Sequence, residues 1–210
     1  MGYTLDPYTY LLNEVTLTNN KDAGTAGSND LSGTLRLEGS DVRVYNLNVK
    51  NTFGLPRGYN QANQAIATSA STSRVGMYGV SLSGYQDVLL VNAGLQAYLR
   101  CHIEGAIDFI FGQHGAAYFR DTTIGITAPA NITASGRATN DSGIYLFERS
   151  AVVPAPHAWA NTSGNVYFGR PWGHYARVVF KDTDIQVEMA PRMWNPWHPG
   201  DERTDHSTSE

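Results

Sequence analysis

The chain has 210 residues, 41% of them apolar and only 16% charged, enough for one domain with a sizeable core. A net charge of −4 argues against a nucleic-acid partner, whose phosphates need clustered Lys and Arg. No apolar run approaches the ~20 residues that span a bilayer, and Cys101, alone and unable to form an internal disulfide, is predicted to be a buried, inert thiol.

In chain order, residues 34–37, 42–49, 75–80, 96–100, 117–120 and 177–180 read as strands. Several alternate apolar with polar side chains and break at Gly, Asn or Asp, the pattern of half-buried strands. Helical periodicity is almost absent; residues 63–71 read as a short helix or a turn of a solenoid. Loops rich in Pro and Gly are predicted at 54–58 and 154–157, and a polar, frayed tail from His198 to Glu210.

A unit of about 21 residues recurs within this pattern. Val80-Ser81-Leu82-Ser83-Gly84-Tyr85-Gln86-Asp87 aligns with Cys101-His102-Ile103-Glu104-Gly105-Ala106-Ile107-Asp108, and a third copy begins at Thr122-Thr123-Ile124-Gly125. A β-sandwich repeats its strands every ~8–12 residues instead, so a parallel β-helix, one repeat per turn, is the better architecture. Equivalent residues on adjoining turns then lie about 4.8 Å apart. Asp87 and Asp108 are 21 residues apart, which predicts two neighbouring carboxylates. Such a pair resists double ionisation, so one carboxyl keeps its proton while the other stays charged.

Asp108 stands in the apolar run 106–111, where a carboxylate is costly unless paired. Arg170, in Tyr167-Phe168-Gly169-Arg170-Pro171-Trp172, supplies a guanidinium able to hold an Asp ionised by a forked contact, with Trp172 offering a flat ring for a sugar. That segment by itself equally fits a structural Arg beside a core Trp. Gln64, Gln86 and Gln113 are amides able to donate to an oxyanion, although amide ladders are also ordinary in β-helices. His114 reads as a surface histidine. No Gly-x-Ser-x-Gly elbow and no metal-ligand spacing occurs.

Gln64-Ala65-Ile66-Ala67, Gly84-Tyr85-Gln86-Asp87, Asp108-Phe109-Ile110-Phe111-Gly112-Gln113 and Gly169-Arg170-Pro171-Trp172 closely resemble the four signature segments of pectin methylesterases (pectinesterases), in the family's order. Ile103-Glu104-Gly105-Ala106, followed by Gly112-Gln113-His114, is most similar to the fungal branch. The resemblance implies a right-handed parallel β-helix of the pectin-lyase-like kind, a single domain over 1–210. It also implies a monomeric, secreted enzyme that removes methyl esters from homogalacturonan without metal or organic cofactor. Asp108 matches the nucleophile, Asp87 the general acid and then base, Gln86 and Gln64 the oxyanion donors. Arg170 matches the residue orienting Asp108, and Trp172 lines the sugar cleft, with Tyr85, Phe111, Gln113 and Trp197 as further cleft residues. The other readings are a non-catalytic pectin-binding β-helix, a polygalacturonase, whose Gly-His-Gly segment is missing, and a pectate lyase, which usually needs a calcium-binding carboxylate cluster.

The resemblance has departures. Leu90 stands where the family usually carries Tyr, which bears on subsite preference. The family's first strands and closing segment have no counterpart, and no signal peptide is visible at Met1, although sequons at Asn131, Asn140 and Asn161 fit a secretory route. A solenoid without its terminal turns is expected to bare apolar side chains such as Leu11, Leu12, Val15 and Leu17, and to be less stable than one carrying them.

Overall fold

Each turn of the chain lays strands into three parallel rows, which lets an apolar-polar alternation send every second side chain into one shared interior. The computed structural model describes residues 1–54, 63–158, 160–203 and 208–209. The first row is β1 (Thr16–Asn19), β4 (Asn48–Asn51), β7 (Ser81–Ser83), the first parts of β10 (His102–Gly112) and β12 (Thr123–Ser135), β14 (Ala151–Pro154) and β17 (Asp184–Ile185). The second holds β2 (Leu35–Leu37), β5 (Thr68–Ala70), β8 (Leu89–Val91), the second parts of β10 and β12, and β15 (Val166–Gly169). The third holds β3 (Val42–Tyr45), β6 (Arg74–Tyr78), β9 (Leu95–Leu99), β11 (Ala116–Arg120), β13 (Tyr145–Glu148), β16 (Arg177–Lys181) and β18 (Thr208–Ser209). This is the parallel β-helix that the repeat predicts, with the right hand that the resemblance implies.

The 21-residue offset is the hydrogen-bonded register: Ser81 pairs with His102, and His102 with Thr123. Gly125 falls opposite Glu104, one residue out of step with Gly105, and β10 and β12 slip further past each other beyond that point. Elsewhere the turns are longer, as in Asn48↔Ser81 and Thr123↔Ala151, because loops are inserted between the strands.

Each third-row strand from β3 to β16 ends in a residue of positive φ that turns the chain back to the first row. These are Asn46, Gly79, Arg100, Asp121, Arg149 and Asp182. The predicted strand 42–49 is therefore two strands, broken at Asn46, whose φ is 50°. Short polar side chains tolerate this left-handed conformation better than apolar ones. Residues 68–70 resolve the choice left at 63–71 in favour of a solenoid strand, β5. A four-residue helix (Ala23–Ala26) sits between β1 and β2, started by the Asp22 carboxylate accepting from the Thr25 N–H.

Inside, Val49, Leu82, Ile103, Ile124 and Val152 stack along the first row with no more than trace exposure. In the third row Tyr98, Phe119, Phe147 and Phe180 are direct strand partners and form an aromatic ladder, ring centroids 4.8, 4.3 and 4.3 Å apart. Cys101 is buried as predicted, and burial pushes its thiol up to about 12, away from reactivity. Leu11, Leu12, Val15 and Leu17 are exposed. The predicted 54–58 loop lies outside the described residues beyond Gly54. As far as Arg203 the tail is held rather than frayed: Arg203 bonds Asp201 and the Trp172 carbonyl, and covers the Trp197 ring.

Candidate active site

Asp87 and Asp108 occupy the same corner on consecutive turns, where the chain bends from the first row into the second. Their φ angles are 59° and 50°, and the Asp87 N–H donates to the Ile107 carbonyl at 3.0 Å. Asp is among the few residues that accept the left-handed region, which explains an Asp inside an otherwise apolar stretch. The corner places both carboxyls on the outside of the solenoid rather than in its core. Gln86 precedes this corner on its turn, and Gln64 belongs to the turn before, joined to it through the Ala65 N–H donating to the Gln86 carbonyl.

Arg170 arrives from the end of β15, two turns beyond Asp108. Its Nε donates to Asp108 Oδ1 at 2.9 Å and its Nη2 to Oδ2 at 2.5 Å, the predicted fork. The guanidinium also lies 4.5 Å from the centre of the Trp197 ring, so it is held between a carboxylate and an aromatic face. Two glycines permit this approach. A Cβ on Gly169 would stand 2.1 Å from Thr133 Oγ1, and one on Gly136 2.4 Å from the Trp172 ring.

Together these residues surround a pocket of about 290 Å³. Gln64, Gln86, Asp87 and Asp108 line its polar side, and Phe111, Trp172 and Trp197 its apolar side. The two indoles stand 6.1 Å apart at 23°. The Gln86 side-chain carbonyl is buried with no partner among the described residues, a polar group whose hydrogen-bonding capacity is unused. Burial, together with the charge of Asp108, holds the Asp87 carboxyl well above the usual carboxylate range. Burial raises Asp108 as well, but the Arg170 hydrogen bonds and charge work against it. Both carboxyls are thus raised by burial, and hydrogen bonds from a guanidinium oppose that rise at Asp108 alone.

Not every residue singled out from the sequence reaches this pocket. Tyr85 packs with Ala106 and Ala128 in a separate apolar cluster, and burial raises its phenol. Gln113 is exposed, its stem beside Gly136 and the Trp172 ring, and His114 is exposed as predicted. Leu90 packs beneath the pocket with Ile66, Phe111 and Ala134, supporting the two indoles. The structure adds Asn29 to the lining. It lies in no recognisable motif, and only the stacking of β2 on β5 brings its loop to the site.

The Pectinesterase family profile matches residues 13–206. A pectinesterase of Aspergillus aculeatus is 37% identical over 211 residues, covering 99% of this chain and 62% of its own length. A pectinesterase of Aspergillus niger is 36% identical, with the same coverage. The crystal structure of the Aspergillus niger pectin methylesterase in deglycosylated form superposes with a TM-score of 0.86 at 33% identity, over 99% of this chain and 72% of that one. The chain thus spans about three fifths of the length of the curated relatives it matches, 62% in both cases. Since the profile runs through every strand that builds the pocket, from β1 to β17, the chain belongs to the pectinesterase family.

Proposed function

We propose that the chain hydrolyses the C6 methyl esters of galacturonate residues in pectin, with Asp108 as nucleophile and Asp87 as acid and then base. The observation that carries this reading is a pair of buried carboxyls on adjoining turns, only one of which an arginine forks. An ionised Asp108 oxygen attacks the ester carbonyl carbon, and the carbonyl electrons move onto oxygen. Amide N–H groups of Gln86 and Gln64 donate to that oxyanion. The C–O bond to the methoxy group then breaks; the leaving oxygen takes the Asp87 proton and departs as methanol, leaving an anhydride on Asp108. Asp87, now ionised, removes a proton from water as the water oxygen attacks the substrate carbonyl carbon. Departure of the Asp108 carboxylate restores both groups and frees the galacturonate. Trp172, Trp197 and Phe111 present flat faces to the sugars. We further infer that the substrate is extracellular homogalacturonan and that the chain acts as a monomer, since one chain supplies every group used.

The direct test is methanol release from highly methylated pectin, with none from the same pectin after saponification. Binding without release would make the chain a pectin-binding module instead.

Replacing Gln86 by Ala is expected to lower kcat by about 10²–10³-fold with little change in KM, because an oxyanion donor acts in the transition state more than on bound substrate. A raised KM at unchanged kcat would reassign Gln86 to ground-state binding.

The pH profile follows from the split carboxyls. Turnover needs Asp108 ionised and Asp87 protonated, so it falls on the acid side as Asp108 gains a proton and on the alkaline side as Asp87 loses one. Arg170 lowers the Asp108 pKa against the effect of burial. Arg170→Gln should therefore move the acid limb to higher pH. A limb that stays in place or moves to lower pH in kcat/KM would show that Asp108 does not set it.

A further inference from the structure

Outside the active pocket, the first row carries a second cluster of polar side chains that the ester chemistry leaves unused. Ile103 points inward, so its neighbours His102 and Glu104 point outward from β10. In register they continue the outer ladders Asn48, Ser81, His102 and Lys50, Ser83, Glu104 across β4, β7 and β10. Two adjoining cavities, of about 240 and 340 Å³, open along these ladders and share Lys50, Ser83, Glu104 and His157. Gly125 keeps the floor open: a Cβ there would stand 2.9 Å from both His102 Nε2 and the Glu104 Cβ. The apolar cluster of Tyr85, Ala106 and Ala128 separates the groove from the active pocket. Glu104 precedes Asp108 by four residues on β10, a distance of at most about 14 Å along the strand.

The groups facing this groove are poorly matched with one another. The Glu104 side chain is only 8% exposed, yet its nearest partners are imidazole nitrogens at 3.5 Å (His157) and 3.7 Å (His102), beyond good hydrogen-bond length. Thr127 Oγ1 is fully buried against the smaller cavity with no partner among the described residues. Lys50 forms no ion pair among the described residues, and the carboxylate and imidazoles do not make a metal-ligand set there. A buried carboxylate held only by two long imidazole contacts, beside a buried hydroxyl with no partner among the described residues, leaves hydrogen-bonding capacity that a ligand can use.

The required ligand presents hydroxyl donors to Glu104 and Thr127 and an anionic group to Lys50 across the intervening Ser83 strand. A bare anion is repelled by Glu104 and a bare cation by Lys50. The cavities, of about 240 and 340 Å³, lie near the lower end of the range for ligand pockets, and each has room for one sugar. A sugar acid meets these demands. We propose that this groove binds one uronate residue of a de-esterified pectin chain, a second saccharide site beside the active pocket. The identity of the uronate rests on the pectin reading above. The site retains the protein on stretches whose esters are already removed, because a methyl ester has no charge to offer Lys50.

The test is a calorimetric titration of the full chain carrying Trp172→Ala, which weakens the active pocket, with trigalacturonate and with its fully methylated form. Saturable binding of the acid is expected, with at least about tenfold weaker binding of the methylated trimer, since a hydrogen bond to a charged group contributes about 1.5–3 kcal/mol. Adding Lys50→Met should weaken the acid by about tenfold, and Lys50→Arg should restore most of it. Thr127→Val, which keeps the shape and removes only the unpaired hydroxyl, should weaken it several-fold without lowering Tm. The proposal is overturned if the acid does not bind the Trp172→Ala chain, if Lys50→Met and Thr127→Val leave its affinity unchanged, or if a zwitterionic dipeptide competes as well as the uronate. Methanol release separates the two readings. Normal release by Lys50→Met with lost uronate binding supports the second site, and normal release by the parent chain with no such binding removes it alone. Absence of release by the parent removes the catalytic reading, while Lys50-dependent binding still establishes the groove.

Discussion

Asp108→Asn should abolish methanol release, lowering kcat by about 10⁴-fold or more, as removal of a covalent nucleophile does in other hydrolases. The amide has nearly the shape of the carboxylate but neither its negative charge nor its nucleophilicity. It also leaves Arg170 facing a neutral group in a partly buried site, so part of the effect is structural. Breaking a buried ion pair by neutralising one member costs about 3–5 kcal/mol, and the fork here has side chains only 12% and 9% exposed. A thermal melt run beside the assay separates the two contributions. A variant that is folded at the assay temperature and still releases no methanol supports the nucleophile. Turnover near that of the parent refutes it whatever the melt shows.

The largest effect on stability is expected from the aromatic ladder. Phe147 is fully buried and stacks on Phe119 at 7° and on Phe180 at 3°, both at 4.3 Å. Phe147→Ala removes both contacts and leaves a cavity that a β-helix turn, clamped on either side, closes poorly. The loss should be about 3–5 kcal/mol. For a domain of this size each kcal/mol moves Tm by about 2–4 °C, giving a drop of roughly 6–20 °C. Phe147→Leu should cost less, because it keeps most of the volume. Leu95→Ala, on strand β9 of the same row but 67% exposed, should fall within about 0.5 kcal/mol of the parent. Equal melting temperatures for Phe147→Ala and Leu95→Ala would show that the ladder is not where the stability resides.

The sequence by itself determined the architecture and the centre of the site, because both are written in short periods. Alternation marked most of the strands. The 21-residue offset from Ser81 to His102 to Thr123 is the register of the sheet, so Asp87 and Asp108 are neighbours for the reason the spacing predicts. Arg170 and Trp172 were legible as a pair of chemical types, an always-charged fork and a flat ring, but their distance to Asp108 was not.

Tertiary structure decided everything that depends on turns of unequal length. The aromatic ladder runs through Tyr98, Phe119, Phe147 and Phe180, and only its first step keeps the 21-residue period. Later loops break the arithmetic while leaving the strands in register, because register is held by backbone hydrogen bonds and buried side chains rather than by loop length. Asn29 reaches the pocket, and Tyr85 turns away into its own cluster, through the same stacking of turns. The positive φ at Asp87 and Asp108 was likewise invisible in the sequence. An Asp at a strand end reads as an ordinary turn residue. Only the corner geometry aims both carboxyls outward, and only burial with Arg170 on one side makes identical residues chemically unequal.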